Sequence, residues 1–144
     1  MKNDSIMLDL KKTNKKIIKL LSSRFKDMKL NITPNQSKIL MFLSDNENVS
    51  SNDIAKCIHV NKSTLSKMLN SLERNGFIIR KNSKIDTRKK NIILTNKALK
   101  IINILKDDAE RISKELMINV KKDEYDTFKR VLEKVEMNIE RIKL

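Results

Sequence analysis

One glycine, Gly76, and one proline, Pro34, serve a chain of 144 residues. Glycine supplies left-handed backbone and proline starts or stops helices. A chain so poor in both is expected to be mostly helix with short connections. The apolar pattern agrees. Ile6, Met7, Leu10, Ile17, Leu20, Leu21, Phe25 and Met28 recur at spacings of three, four and seven, with lysines between them. That is one stripe of a first helix about 20 residues long or more.

Local signals divide the rest. Thr33-Pro34-Asn35-Gln36 opens a second helix, with Thr33 as cap, Pro34 at the first position and Gln36 completing a capping box. Ile39, Leu40, Met41, Phe42 and Leu43 make it apolar on most sides, so it is expected at the centre of the core. Ser51-Asn52-Asp53 starts a third helix of two turns that buries Ile54, Ala55 and Ile58; Val49 before it is read as a very short strand. His59-Val60-Asn61 is a tight turn with Val60 inward. Asn61 or Ser63 caps a fourth helix over about 62–75, which turns Leu65, Met68, Leu69 and Leu72 inward. Gly76 ends it in the left-handed conformation, and Phe77 folds back onto Leu72. Phe77 to Arg80 and Asn91 to Leu94 form a hairpin with a polar, charged tip. Thr95 caps a fifth helix over about 96–120, with the stripe Leu99, Ile102, Leu105, Ala109, Ile112 and Leu116. Asp123 starts a sixth, lined by Phe128, Val131, Leu132, Val135, Ile139 and Ile142. No repeat or flexible linker separates these elements, so the chain reads as one cooperative body.

Helix, tight turn, helix and basic hairpin, in that order, is the element order of a winged helix-turn-helix. The charge is placed to match. Lys+Arg 32 against Asp+Glu 18 gives +14. Lys56, Lys62, Lys67, Arg74, Arg80, Lys81, Lys84, Arg88, Lys89 and Lys90 meet only Glu73 and Asp86 between positions 56 and 90. A folded unit so charged has a natural partner in the phosphates of double-stranded DNA; an anionic membrane surface is the other candidate.

On the fourth helix the apolar set faces the core and leaves Lys62, Ser63, Thr64, Ser66, Lys67, Asn70, Ser71 and Arg74 for the outer surface. A merely solvated helix more often carries Glu–Lys pairs. Small hydroxyls and amides let a backbone approach a groove, and cations reach phosphates or guanine acceptors. Ser63, Thr64, Ser66 and Lys67, on the first turns, are the base-edge candidates; Asn70 and Arg74 are assigned to the DNA backbone or to orienting neighbours. In the hairpin, Lys81, Lys84, Arg88, Lys89 and Lys90 are candidates for phosphate contact, with Arg88 entering the minor groove and Asp86 fixing its direction.

Other chemistries find no support. His59 is the only histidine, and no nucleophile–base pair, metal cluster or Gly-rich phosphate loop can be assembled, so neither enzyme activity, metal nor cofactor is expected. Lys11, Lys12, Lys15 and Lys16 break every N-terminal apolar stretch, so no secretion signal or membrane span is expected. A lone cysteine, Cys57, fits a reducing cytoplasm and reads as a small buried hydrophobe rather than a redox sensor.

The ordered set Thr33-Pro34 with Gln36, Asn61-Lys62-Ser63-Thr64-Leu65-Ser66, Leu72-Glu73-Arg74-Asn75-Gly76-Phe77-Ile78, Asp86-Thr87-Arg88 and Leu94-Thr95 resembles the MarR family of bacterial transcription regulators. The resemblance implies a mainly α fold with a small β-hairpin wing. Residues 1–32 would be an N-terminal dimerisation helix, 33–95 the DNA-binding winged helix-turn-helix, and 96–144 C-terminal dimerisation helices. It further implies a homodimer with interlocked terminal helices, a pseudo-palindromic operator, usually repression, and release by a small ligand or thiol oxidation. The residues argue for a dimer independently. The stripes of the first and sixth helices exceed what one small winged domain can cover, and about 0.8 kcal/mol per CH₂ left in water makes exposure costly. A nonspecific architectural DNA-binding protein is the alternative reading.

Overall fold

The structure, a computed structural model, describes residues 5–82 and 90–142. Its order is α1 (Ile6–Asp27), α2 (Pro34–Asp45), α3 (Ser51–Ile58), α4 (Lys62–Arg74), β1 (Ile78–Asn82), β2 (Lys90–Leu94), α5 (Asn96–Leu116) and α6 (Lys122–Ile142). β1 and β2 form a two-stranded antiparallel sheet in the register Ile78↔Leu94, Arg80↔Ile92 and Asn82↔Lys90. The fold is thus mainly α with a hairpin wing. Among the described residues, no helix is long and apolar enough to cross a membrane. The chain divides into two compact units, residues 1–106 and 107–144, with the boundary inside α5.

The caps work as the side chains require. Thr33 Oγ1 accepts from the Gln36 backbone N–H at 3.2 Å, and Gln36 Oε1 accepts from the Thr33 N–H at 2.9 Å. Ser50 and Asp53 repeat this capping box ahead of α3. Asn61 Oδ1 accepts the Thr64 N–H at 2.8 Å and so starts α4. Each reciprocal cap satisfies two donors that a helix start would otherwise leave unbonded. Val49 is buried just before Ser50 but pairs with no strand among the described residues, because the sheet is β1 and β2 alone. It acts as a core side chain.

Three helices end alike. Lys29, His59 and Gly76 have φ of 56°, 53° and 76°, and the next residue's N–H reaches back across the turn. These bonds are Leu30 to Phe25 O (2.8 Å), Val60 to Ala55 O (3.1 Å) and Phe77 to Leu72 O (2.9 Å). Gly76 N–H also donates to Glu73 O at 2.9 Å, completing the Schellman pattern expected after α4. Only Gly76 adopts this backbone without a Cβ; Lys29 and His59 carry its steric cost.

The core of the first unit gathers Phe25, Ile39, Leu40, Ile54, Leu65, Leu69, Leu72, Phe77, Ile78, Ala98, Ile102 and Leu105. Ile39 and Leu40 have no exposed surface, which makes α2 the central helix that its apolar run implied.

Two expectations about α5 change. α5 stops at Leu116 instead of running to about 120; Met117 and Ile118 N–H groups bond three residues back, and Asn119 turns left-handed at φ 64°. The buried line of α5 is Ala98, Ile102, Leu105, Asp108 and Ile112, whereas Leu99 is 51% exposed and Leu116 48%. Ala98, Leu99, Ile101, Ile102, Ile104 and Leu105 make this helix apolar around much of its circumference, so the period alone admits more than one buried line. Asp108 occupies a position on the buried line as an acid, accepting from Arg111 Nη2 at 2.9 Å.

Candidate nucleic-acid interface

α4 presents the face. Its buried side chains are Leu65, Leu69 and Leu72, with Met68 half-buried against the core. Lys62, Ser63, Ser66, Lys67, Asn70 and Arg74 are all exposed. At about 100° per residue these six fall within a sector of roughly 140° with no apolar residue in it. Thr64 is half-buried at the edge of that sector, beside Met68, and is less presented than its neighbours. Where α3 and α4 begin, a cleft of about 210 Å³ lies over Leu65 and Leu69, lined also by Ser51, Asn52, Lys62, Ser66 and Arg80.

The wing is described at its base. Lys81 is exposed on β1, and Lys90 pairs with Asn82 on β2. Lys84, Asp86, Arg88 and Lys89 lie outside the described residues.

A contact that the sequence reading did not anticipate joins helix to wing. Arg80, counted there only as one of many cations, has a largely covered side chain, 22% exposed. Its Nε donates to Glu73 Oε2 at 2.9 Å, and its backbone N–H donates to Glu73 Oε1 at 3.2 Å. Its Nη2 donates both to Glu73 Oε2 and, at 2.6 Å, to Asn70 Oδ1. Two α4 side chains thus converge on one guanidinium of β1. The only available signal was the spacing: an acid three residues before the helix-ending glycine and an arginine four after it.

The stop of α4 is reinforced from α5. Thr95 Oγ1 donates to Gly76 O at 2.6 Å and accepts from the Ala98 N–H at 3.3 Å. Lys97 Nζ donates to Asn75 O at 2.7 Å and lies 4.6 Å from the centre of the Phe77 ring. His59 is exposed at the turn between α3 and α4. Cys57, expected to be a small buried hydrophobe, is exposed instead. α3 is only eight residues long and packs through Ile54 and Ile58, and position 57 falls off that line.

Residues 32–90, the segment built around this face, match the sequence model of the MarR family. That segment carries the MarR-family sequence pattern. It is similar to the HTH-type transcriptional regulator YybA of Bacillus subtilis, with 26% identity over 117 residues, 81% of this chain and 77% of that one. In structure it resembles S. aureus MepR, solved in complex with DNA, at a TM-score of 0.87 and 23% identity over 94% of this chain and 98% of that one. A MarR protein from Peptoclostridium difficile gives 0.84 and 22% identity, covering 98% and 92%.

Proposed function

We propose that this chain is a MarR-type transcriptional regulator, a cytoplasmic homodimer that reads a pseudo-palindromic operator in double-stranded DNA. It acts as a repressor and leaves the operator when a small ligand binds. Each protomer lays α4 in the major groove and the wing in the adjacent minor groove. The observation that carries this reading is the unbroken polar sector of α4, joined to a strand of the basic hairpin through Arg80. Lys62, Ser63, Thr64, Ser66 and Lys67 are assigned to base edges and nearby phosphates, and Asn70 and Arg74 to the DNA backbone. Lys81, Lys84, Lys89 and Lys90 track phosphates, while Arg88 enters the minor groove with Asp86 directing it.

The dimer rests on exposed apolar surface. In the first unit α1 leaves Ile6, Met7, Leu8, Leu10, Ile18 and Leu20 exposed; in the second α6 leaves Phe128, Val131, Met137, Ile139 and Ile142 exposed. Apolar side chains left in water along both terminal helices favour an interface that covers them, and two-fold pairing of one chain matches an inverted repeat.

Selection of bound fragments from random duplex DNA tests the reading. The expected product is one short inverted repeat, footprinted on two successive turns and preferred over random DNA by about a thousandfold or more. Retention of all fragments alike would make the protein an architectural DNA binder.

A further inference from the structure

The Arg80 contact constrains what Asn70 can offer. An asparagine amide has two faces, an oxygen that accepts and a nitrogen that donates two hydrogens, and it can be turned either way about its last torsion. Arginine has donors only. With Arg80 Nη2 at 2.6 Å the atom facing it must be Oδ1, and the donating nitrogen is turned away from it. The guanidinium is itself held by Glu73 through two of its nitrogens, and the Arg80 backbone N–H adds a third bond to the same carboxylate. Asn70 is exposed, in the middle of the α4 sector between Ser66 and Arg74.

We propose that Arg80 is a positioning residue for DNA contact. It locks the Asn70 side chain of α4 with its amide nitrogen outward, as a donor for a phosphate oxygen of the duplex, and ties that donor to the first strand of the wing. Asn70 is thereby assigned to a phosphate rather than to adenine. The paired contact to adenine needs the amide oxygen and nitrogen side by side on one base edge, and here one of the oxygen's two lone pairs is already taken by a guanidinium that fixes the amide's orientation. Its place two turns into α4, beyond the turns assigned to base edges, suits a phosphate. The contact is independent of sequence and fixes the register of helix on duplex. Glu73 completes the device by fixing the guanidinium plane, which a lysine at position 80 does not reproduce, having no planar fork.

This inference rests on the reading of the chain as a DNA-binding regulator. Its test is a double-mutant cycle in DNA affinity, measured on the selected operator and on random duplex, with thermal melts of each variant. Asn70→Ala and Arg80→Lys are each expected to weaken binding to both duplexes by about five- to tenfold, the effect of one lost hydrogen bond. The double variant is expected to be no weaker than either single one, because both remove the same contact. Asn70→Asp, which keeps an oxygen toward Arg80 and leaves the chain folded, is expected to lose at least as much as Asn70→Ala, since it turns an acceptor toward the phosphate. Additive losses in the double variant, or an Asn70→Asp protein that binds like the original, would overturn the proposal. So would a loss confined to operators with adenine at one position. If the unaltered protein binds no duplex at all, the DNA-binding reading fails first and this proposal with it; additive losses in a protein that does bind overturn this proposal alone.

Discussion

Gly76 shows how much one residue can settle. It ends α4, its carbonyl receives the Thr95 hydroxyl that caps α5, and Phe77 beside it is buried and covered by Lys97. A Cβ at position 76 would meet nothing nearer than Lys97 Cδ at 3.9 Å, so the objection to a side chain lies in the backbone at φ +76°. Gly76→Ala is expected to cost about 1 kcal/mol, read as a lower urea midpoint with an unchanged slope. For the DNA contacts, Arg88→Ala is expected to weaken binding to most sequences, by about tenfold, as loss of a groove-inserted cation does. Lys67→Ala and Thr64→Ala are expected to change preference among sequences more than bulk affinity, by about tenfold or more at the base affected. Competition of operator variants against random DNA measures both. Equal losses on every sequence for all three variants would remove the base-reading assignment.

Elements with strong local punctuation were legible in the sequence. Thr33 with Gln36, Asn61 and Gly76 each state their role within four residues, and the start of α2 and both ends of α4 follow from them. Contacts set between elements were not. The Arg80–Glu73 and Arg80–Asn70 bonds span seven and ten residues across a helix stop, and no periodicity encodes them. The buried line of α5 was misread at Leu99 because neighbouring residues around that helix are equally apolar. Cys57 was misplaced because a two-turn helix needs only two anchors. The wing candidates from Lys84 to Lys89 rest on sequence alone. Another tie between elements has a pH signature. The hydrogen bond from Lys106 of α5, at 2.6 Å, holds the carboxyl of Asp45, the last residue of α2, below its ordinary range. The bond from Lys114 lowers that of Glu110. A lowered folded pKa stabilises above the unfolded value and is lost as pH falls through the folded one. Asp45→Asn is therefore expected to lower stability slightly at neutral pH and not below the carboxylate range, as urea unfolding at the two pH values would register.

At the scale of the whole molecule, charge and the proposed pairing of two chains set what is expected. With +14 on each chain, duplex binding is expected to weaken steeply with salt, with a log–log slope of about −0.9 per phosphate contacted. Arg74→Ala is expected to reduce that slope by about one such contact. Val131→Glu with Ile139→Glu places two carboxylates on the exposed apolar side chains of α6. It is expected to give a monomer in sedimentation that keeps its far-ultraviolet helix signal and binds the full inverted repeat about a hundredfold more weakly, since the two half-sites no longer share one binder. Sedimentation of the unaltered chain as a monomer at micromolar concentration would remove the dimer; otherwise the two recognition helices are expected about 34 Å apart, one turn of DNA.

Cys57 is the chain's sole thiol, and it is open to solvent on α3, the helix before α4. In a symmetric pair it therefore offers one natural attachment point per protomer. A nitroxide or fluorophore placed there without any mutation would report the distance between the two reading heads directly, free in solution and again on the operator.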